Sequence, residues 1–276
     1  MLCITPSGRT FQDDPFTRAC GPLSGAGCEP PDRTGTDHPR APVNATLHLR
    51  TLDVSRLYRR GKHQVTALAG VSIDIPRGEF LSLVGASGSG KTTLLNVLAG
   101  LDTPTSGSVE FDGVSLASMA KRDRARQRAK KIGMIFQSFN LIPHYTALQN
   151  VETALYFDGT PHAERRKLAT DALARLGLSD RLTPRPADLS GGEQQRVAVA
   201  RAVVKKPEIL FADEPTGNLD YDNSRLIISL MRQFNAEGLT VVLVSHNMEM
   251  ARELSHRIVK MEYGRVVDTI AGDGSK

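Results

Sequence analysis

The segment GASGSGKTT, residues 85–93, carries the residue types a phosphate site needs in the order GxxxxGK[ST]. It sits between an apolar run, FLSLV, and the helix-prone TLLNVLAG. Gly85, Gly88 and Gly90, interleaved with Ala86, Ser87 and Ser89, let successive backbone N–H groups turn toward phosphate oxygens. Lys91 is then placed to reach the β- and γ-phosphates, Thr92 offers a hydroxyl to Mg²⁺, and Thr93 leads the loop into a helix. A glycine-rich turn with no ligand is the plainer alternative, and the strand-loop-helix setting argues against it.

Three further stretches have the same character, an apolar run that ends in chemistry. EILFADEP ends in adjacent acids, Asp213 and Glu214. A parallel strand beside the phosphate loop would bring Asp213 near the metal and aim Glu214 at the γ-phosphate, where it could polarise a water. TVVLVSH ends in His246. A lone histidine is usually structural, but a strand tip beside a nucleotide favours a γ-phosphate contact. LSGGEQQR, residues 189–196, opens a helix with Ser190, Gly191, Gly192 and Glu193, yet has no lysine to neutralise a phosphate.

These loops require an alternating scaffold. LHLRTLDVSRLY, VSIDI, EFLSLVG, IGMIFQ, EILFAD and TVVLVS read as strands, and GSVEFDG as a hairpin arm turning at Asp112-Gly113. HRIVKME and GRVVDTI close the chain around Tyr263-Gly264. Residues 163–178 read as a helix with Leu168, Ala172, Leu173 and Leu176 on one face, and helices follow Ser190, Asp222 and Asn247. Apolar strands alternating with helices predict an α/β domain with a mainly parallel sheet. Residues 1–44, rich in Gly, Pro, Thr and Asp, read as a disordered extension, and residues 45–272 as the folded domain.

Bulk properties exclude several classes. No run of 18 apolar residues spans a membrane, and no secretory n- and h-region opens the chain. Cys3, Cys20 and Cys28 lack zinc spacing and are odd in number, which fits a reduced compartment; the sequon at Asn44 reads as chance. The net charge of +5 is local: KRDRARQRAKK (Lys121–Lys131) holds +6, so the remainder sums to −1. That excludes a broad nucleic-acid footprint. The basic segment reads as a solvated helix face or as a contact for anionic lipid or an acidic partner.

With these parts in order, residues 47 to about 270 resemble the nucleotide-binding subunits of ABC transporters. The resemblance implies a P-loop NTPase core with a mainly parallel sheet, an N-terminal antiparallel β subdomain and a helical subdomain inserted at about 139–190. It identifies Tyr58 with the aromatic that stacks on adenine and residues 85–93 with the Walker A loop. It likewise identifies Gln137 with the Q-loop glutamine that senses Mg²⁺ and the membrane partner, Asp213 and Glu214 with Walker B and the catalytic glutamate, Asn218-Leu219-Asp220 with the D-loop, and His246 with the switch histidine. LSGGEQQR matches the signature loop, so Ser190, Gly191, Gly192 and Glu193 are implied to close over ATP held by a second copy of the chain. Lys91, Gln137, Glu214 and His246 are then the catalytic set, and Thr92, Gln137 and Asp213 the Mg²⁺ set. The D-loop reads GNLD where many members have SALD.

FQSFNLIPHYTALQNVE together with GLDTPTSGSVEFDG resembles the branch of macrolide exporters, lipoprotein-release ATPases and the cell-division ATPase. The implied partner is an integral permease on another chain, received near residues 139–147, where Phe139, Leu141, Ile142 and Tyr145 suit a groove, though Leu141 and Ile142 also suit a core. The implied location is the cytoplasmic face of the inner membrane, bound peripherally, and the implied task export or extraction by mechanical transmission. A regulatory ATPase of a cell-division or other non-transport complex shares the same chemistry. A DNA-repair or ribosome-associated ATPase would bring coiled coils, zinc cysteines or tandem cassettes, and a P-loop kinase or GTPase would lack the signature loop.

Overall fold

The apolar runs pair into two sheets in a computed structural model that describes residues 47–61 and 63–274. The 1–44 segment, its three cysteines and the sequon lie outside the described residues. The chain enters as a long hairpin, β1 (Leu47–Arg60) and β2 (His63–Pro76), then runs through β3 (Phe80–Val84) into α1 (Lys91–Leu98). β4 (Ser106–Phe111) and β5 (Val114–Ser115) form the arm read at Asp112-Gly113, and α2 (Lys121–Lys131) is the basic segment. β6 (Ile132–Ile135) is followed by three helices, α3 (Ala147–Asp158), α4 (His162–Arg175) and α5 (Gly191–Val203). β7 (Ile209–Asp213), α6 (Tyr221–Ala236), β8 (Thr240–Ser245), α7 (Met248–Leu254), β9 (Arg257–Glu262) and β10 (Arg265–Ala271) complete the domain.

The antiparallel sheet has the order β2-β1-β4-β5, and the larger sheet β10-β9-β3-β8-β7-β6, parallel throughout except for β10. Period-2 alternation divides the parallel strands between two cores. Leu81 and Leu83, Phe211, Val242 and Val244 pack with the antiparallel sheet and α1. Phe80, Leu210, Ala212, Val241 and Leu243 pack with α3 to α6 on the other face. Strands buried on both faces explain why these runs are continuously apolar in sequence.

One expectation about strand order is corrected. The carboxylate strand β7 is not beside the phosphate-loop strand β3; β8, which ends before His246, lies between them. The acid still meets the loop because α1 packs over both β8 and β7, so Thr92 in its first turn spans the intervening strand. The helix read over 163–178 ends at Arg175, and Leu176 and Leu178 are buried beyond it.

Candidate functional site: the carboxyl edge of the parallel sheet

Four neighbouring parallel strands, β3, β8, β7 and β6, release the chain at the same edge, and each release carries a residue singled out by sequence. In open α/β sheets this edge is where ligands bind, because side chains and helix starts converge there while the strands hold them rigidly. After β3 comes the phosphate loop. Its last residue, Gly90, adopts φ 101° as the cap of α1. A side chain there would be strained twice over, since a Cβ would also stand 2.4 Å from the Ala67 carbonyl of β2. The Lys91 ammonium folds back onto the loop and donates to the carbonyls of Gly85 and Ala86, each at 2.8 Å. The Ser89 hydroxyl is buried and unpartnered. Ala86, Ser87, Gly88 and Thr92 are exposed at the mouth, with Gly85 and Thr93 half-buried.

Thr92 Oγ1 donates to Asp213 Oδ1 at 3.2 Å, linking the loop to the end of β7. Burial, and then the adjacent Glu214, raise the Asp213 carboxyl above its ordinary value, against the Thr92 hydrogen bond and the charge of Lys91. Glu214 follows with φ 45°, a left-handed backbone that turns its carboxylate out of the strand direction. There its Oε2 lies 3.6 Å from His246 Nδ1 at the end of β8. From the end of β6, the Gln137 carbonyl accepts from Asn218 Nδ2 at 3.0 Å, and its Nε2 faces Gly217 beside Glu214. Lys91, Thr92, Asp213, Glu214, His246 and Gln137 therefore form one constellation.

Ser190 to Glu193 stand apart from it. Ser190 caps α5: its side chain accepts from the Glu193 N–H at 3.2 Å while the Glu193 carboxylate accepts from the Ser190 N–H at 2.8 Å, a reciprocal capping box. That backbone hydrogen bond, helped by Arg181 at 3.0 Å, holds the Glu193 carboxyl below the usual range. A Cβ at Gly192 would lie 2.1 Å from Asn223 Oδ1, so the Asn223 side chain would have to move to admit one. Among the described residues no hydrogen bond or ion pair joins residues 190–193 to residues 85–93. Ser190 and Gly191 face solvent.

Tyr58 lies on β1, donating its hydroxyl to Asp102, with the Arg56 guanidinium 4.6 Å from its ring centre. Of residues 139–147, Phe139, Leu141 and Ile142 are half-buried, Tyr145 is exposed and Ala147 is buried in the core. Ile142 and Tyr145 join Gln149, Tyr156, Phe157 and Arg165 around a groove of about 630 Å³.

Two features escaped the sequence reading. The Arg201 guanidinium of α5 donates to the carbonyls of Phe139 and Asn140 at 2.8 and 2.6 Å. Those two residues are themselves left-handed, with φ 60° and 50°, so a strained turn after Gln137 is held by a cation that burial makes easier to deprotonate. Gln195 Nε2 donates to the Pro215 carbonyl at 2.6 Å, tying α5 to the turn after Glu214. Arginine and glutamine in the run EQQRVAVARAV look like ordinary helix surface, and nothing in their spacing marks their partners.

Comparison with known proteins agrees with this geometry. Residues 68–217 match the family model described as ABC transporter. An uncharacterised ABC transporter ATP-binding protein of Thermotoga maritima is 45% identical over 218 residues, 79% of this chain and 93% of that one. The macrolide export ATP-binding/permease protein MacB of Burkholderia pseudomallei is 44% identical over 219 residues, which cover 79% of this chain and 33% of that longer protein. Among solved structures, a dimeric ATP-binding cassette in a post-hydrolysis state, bound to ADP and Pi, superposes with a TM-score of 0.76 at 39% identity, covering 81% of this chain and 98% of that one.

Proposed function

Because the chain belongs to the ABC transporter family of ATP-binding proteins, we propose that it hydrolyses ATP as the energy-supplying subunit of a transporter whose permease is a separate polypeptide. The observation that carries this reading is the convergence of Lys91, Thr92, Asp213, Glu214, Gln137 and His246 at one sheet edge, while the Ser190–Gly191 helix start is left facing outward.

Tyr58 and residues 85–93 would hold the nucleotide, the Lys91 ammonium exchanging its two carbonyl partners for phosphate oxygens. Mg²⁺ would suit the oxygen donors of Thr92, Asp213 and Gln137, Thr92 and Asp213 being already in hydrogen-bond contact at the mouth of the phosphate loop. When bound, the ion would neutralise charge across the β- and γ-phosphates. Glu214 accepts a proton from water as the water oxygen bonds to the γ-phosphorus and the bond to the bridging oxygen breaks, giving ADP and phosphate. His246 and Gln137 orient the water and the γ-phosphate, and Lys91 stabilises the transferred charge.

The outward-facing start of α5 supplies what one copy lacks. In a head-to-tail dimer, Ser190, Gly191, Gly192 and Glu193 would offer a hydroxyl, backbone N–H groups and the helix dipole to ATP held by the other copy. The dimeric relative of known structure supports such self-association. The groove beside residues 139–147 would receive a cytoplasmic segment of the permease, with the helices of the 139–190 insertion as its walls. The chain would then sit peripherally at the cytoplasmic face of the inner membrane; none of its described helices is long and apolar enough to cross one. Likeness to the macrolide exporter favours export or extraction.

Glu214→Gln tests the scheme. With ATP and Mg²⁺ it should retain binding, migrate as a dimer in size-exclusion chromatography, and turn over about 10²–10⁴-fold more slowly. Lys91→Ala should lose nucleotide binding. Normal turnover by Glu214→Gln would remove it as the base. Capture of the trapped dimer from solubilised membranes, with mass spectrometry of what accompanies it, tests the permease.

A further inference from the structure

The excess positive charge of this chain is concentrated on α2, and five of its seven bases divide between two uses. On the inner side, Arg128 donates to the Gly100 carbonyl at 2.9 Å, and Lys131 pairs with Asp112 and Glu208 at 3.1 and 2.9 Å. On the outer side stand Arg122, Arg126 and Lys130, all exposed, at i, i+4 and i+8. That spacing aligns them along one face over about 12 Å. Like charges so placed repel each other, and among the described residues none of the three has an ion-pair or hydrogen-bond partner. Asp123 is the one acid on α2, against seven bases.

The stripe is also rigidly mounted. The ammonium of Lys205, from just beyond α5, donates to the carbonyls of Arg128 and Ala129 at the end of α2. Burial lowers this lysine to about 8, against the attraction of Asp158 at the end of α3. The end of α2 thus meets the end of α3, and the two helices pack together. Tyr156 and Phe157 occupy that end of α3 with 62% and 71% of their surface exposed. These rings line the groove beside residues 139–147, and the basic stripe of α2 is what a surface of anionic headgroups would meet.

We propose that the outer face of α2, Arg122, Arg126 and Lys130, is a docking surface for the anionic headgroups of a lipid bilayer. A flat, multiply charged surface matches a straight stripe on a rigid helix, and the chain outside α2 sums to −1, without the net positive charge that an extended nucleic-acid contact draws on. The inference goes beyond the proposed function; it draws on that reading only for a bilayer within reach and needs no permease to be tested.

The experiment is flotation of the purified full chain with phosphatidylcholine vesicles, with and without phosphatidylglycerol. Binding should require the anionic lipid and be lost on adding salt. The combined variant Arg122→Gln, Arg126→Gln, Lys130→Gln should partition about a hundredfold more weakly. A charge-matched control, Lys167→Gln, Arg252→Gln, Arg265→Gln, should float like the unaltered chain. Equal flotation of the two triple variants, binding to phosphatidylcholine alone, or retention only by polyglutamate or duplex DNA would each overturn the proposal. The salt titration of the unaltered chain keeps it falsifiable should the α2 variant not fold. ATP hydrolysis, followed on the same samples without vesicles, should be unchanged by the α2 variant; its absence from the unaltered chain would count against the ATPase reading and leave the flotation result standing.

Discussion

The two ends of the parallel sheet handle charge in opposite ways. At the amino end, Arg77 and Lys131 each pair with both Asp112 and Glu208, two cations against two anions around the fully buried His48. His48 holds Thr240 through Nδ1 at 2.9 Å, and burial keeps the ring toward its neutral form. At the carboxyl end, Asp213 and Glu214 are adjacent, Lys91 is bonded to main-chain carbonyls, and the Glu214 backbone is left-handed. One end has its charges matched within the fold, which fastens the β1 and β4 sheet to the start of β7. The other holds two adjacent carboxylates and a lysine turned onto its own loop, groups that a triphosphate and a cation would engage in the proposed function. In the proposed function, the charge pairs that stabilise the fold and the groups that react thus lie at opposite ends of the same strands.

Substitutions should separate the two ends, beginning with the largest effect. Glu214→Gln belongs to the carboxyl end alone: turnover should collapse with Tm almost unmoved in the nucleotide-free chain. Glu208→Gln is its counterpart, removing one anion from the matched square. It should lower Tm by about 2–4 °C, the equivalent of about 1 kcal/mol for a domain this size once the partial exposure of the square is allowed for, and leave the KM for ATP unchanged. A fall in turnover at a temperature well below that Tm would show that the ends are coupled. Asp213→Asn should have the opposite sign. A carboxyl raised in the fold opposes folding at neutral pH, so the amide should raise the nucleotide-free Tm by up to about 2 °C while Mg²⁺-dependent hydrolysis disappears. The gain should vanish as pH falls below the ordinary aspartate range, where both forms are neutral.

The smallest effect is at His48. Its folded form resists protonation, so its contribution is present above the unfolded histidine value near 6.5 and is lost as pH falls from there through the depressed folded value. Thermal melts from neutral to mildly acidic pH should show a decline of order 1 °C from this group, absent in His48→Gln. An equal decline in the variant would assign the slope to other groups.

The carboxyl end was legible in the sequence because its parts are short, contiguous motifs. Residues 85–93 declare their chemistry without reference to anything distant, and Asp213, Glu214 and His246 each close an apolar run. The order of the strands was not legible, because hydrogen-bond neighbours along a parallel sheet are separated by whole crossovers; β8 between β3 and β7 leaves no local trace. The amino end was invisible for the same reason. His48 meets Thr240 across 192 residues, and Arg77 meets Glu208 across 131, so each looks like an ordinary strand or turn residue. Arg201 lies 61 and 62 residues from the carbonyls it holds. Glu214 announces a strand end, while its left-handed backbone is imposed by the tertiary turn that follows.

The Arg201 clamp makes α5 a lever. Its grip on the Phe139–Asn140 turn and the Ser190 cap at its start are about ten residues apart, or roughly 15 Å of rigid helix. A tilt of roughly 10° about the clamped end would swing the cap by between 2 and 3 Å, about the length of a hydrogen bond. In the proposed dimer, leverage of that size would convert a small push on the groove into the difference between a phosphate contact made and one missed.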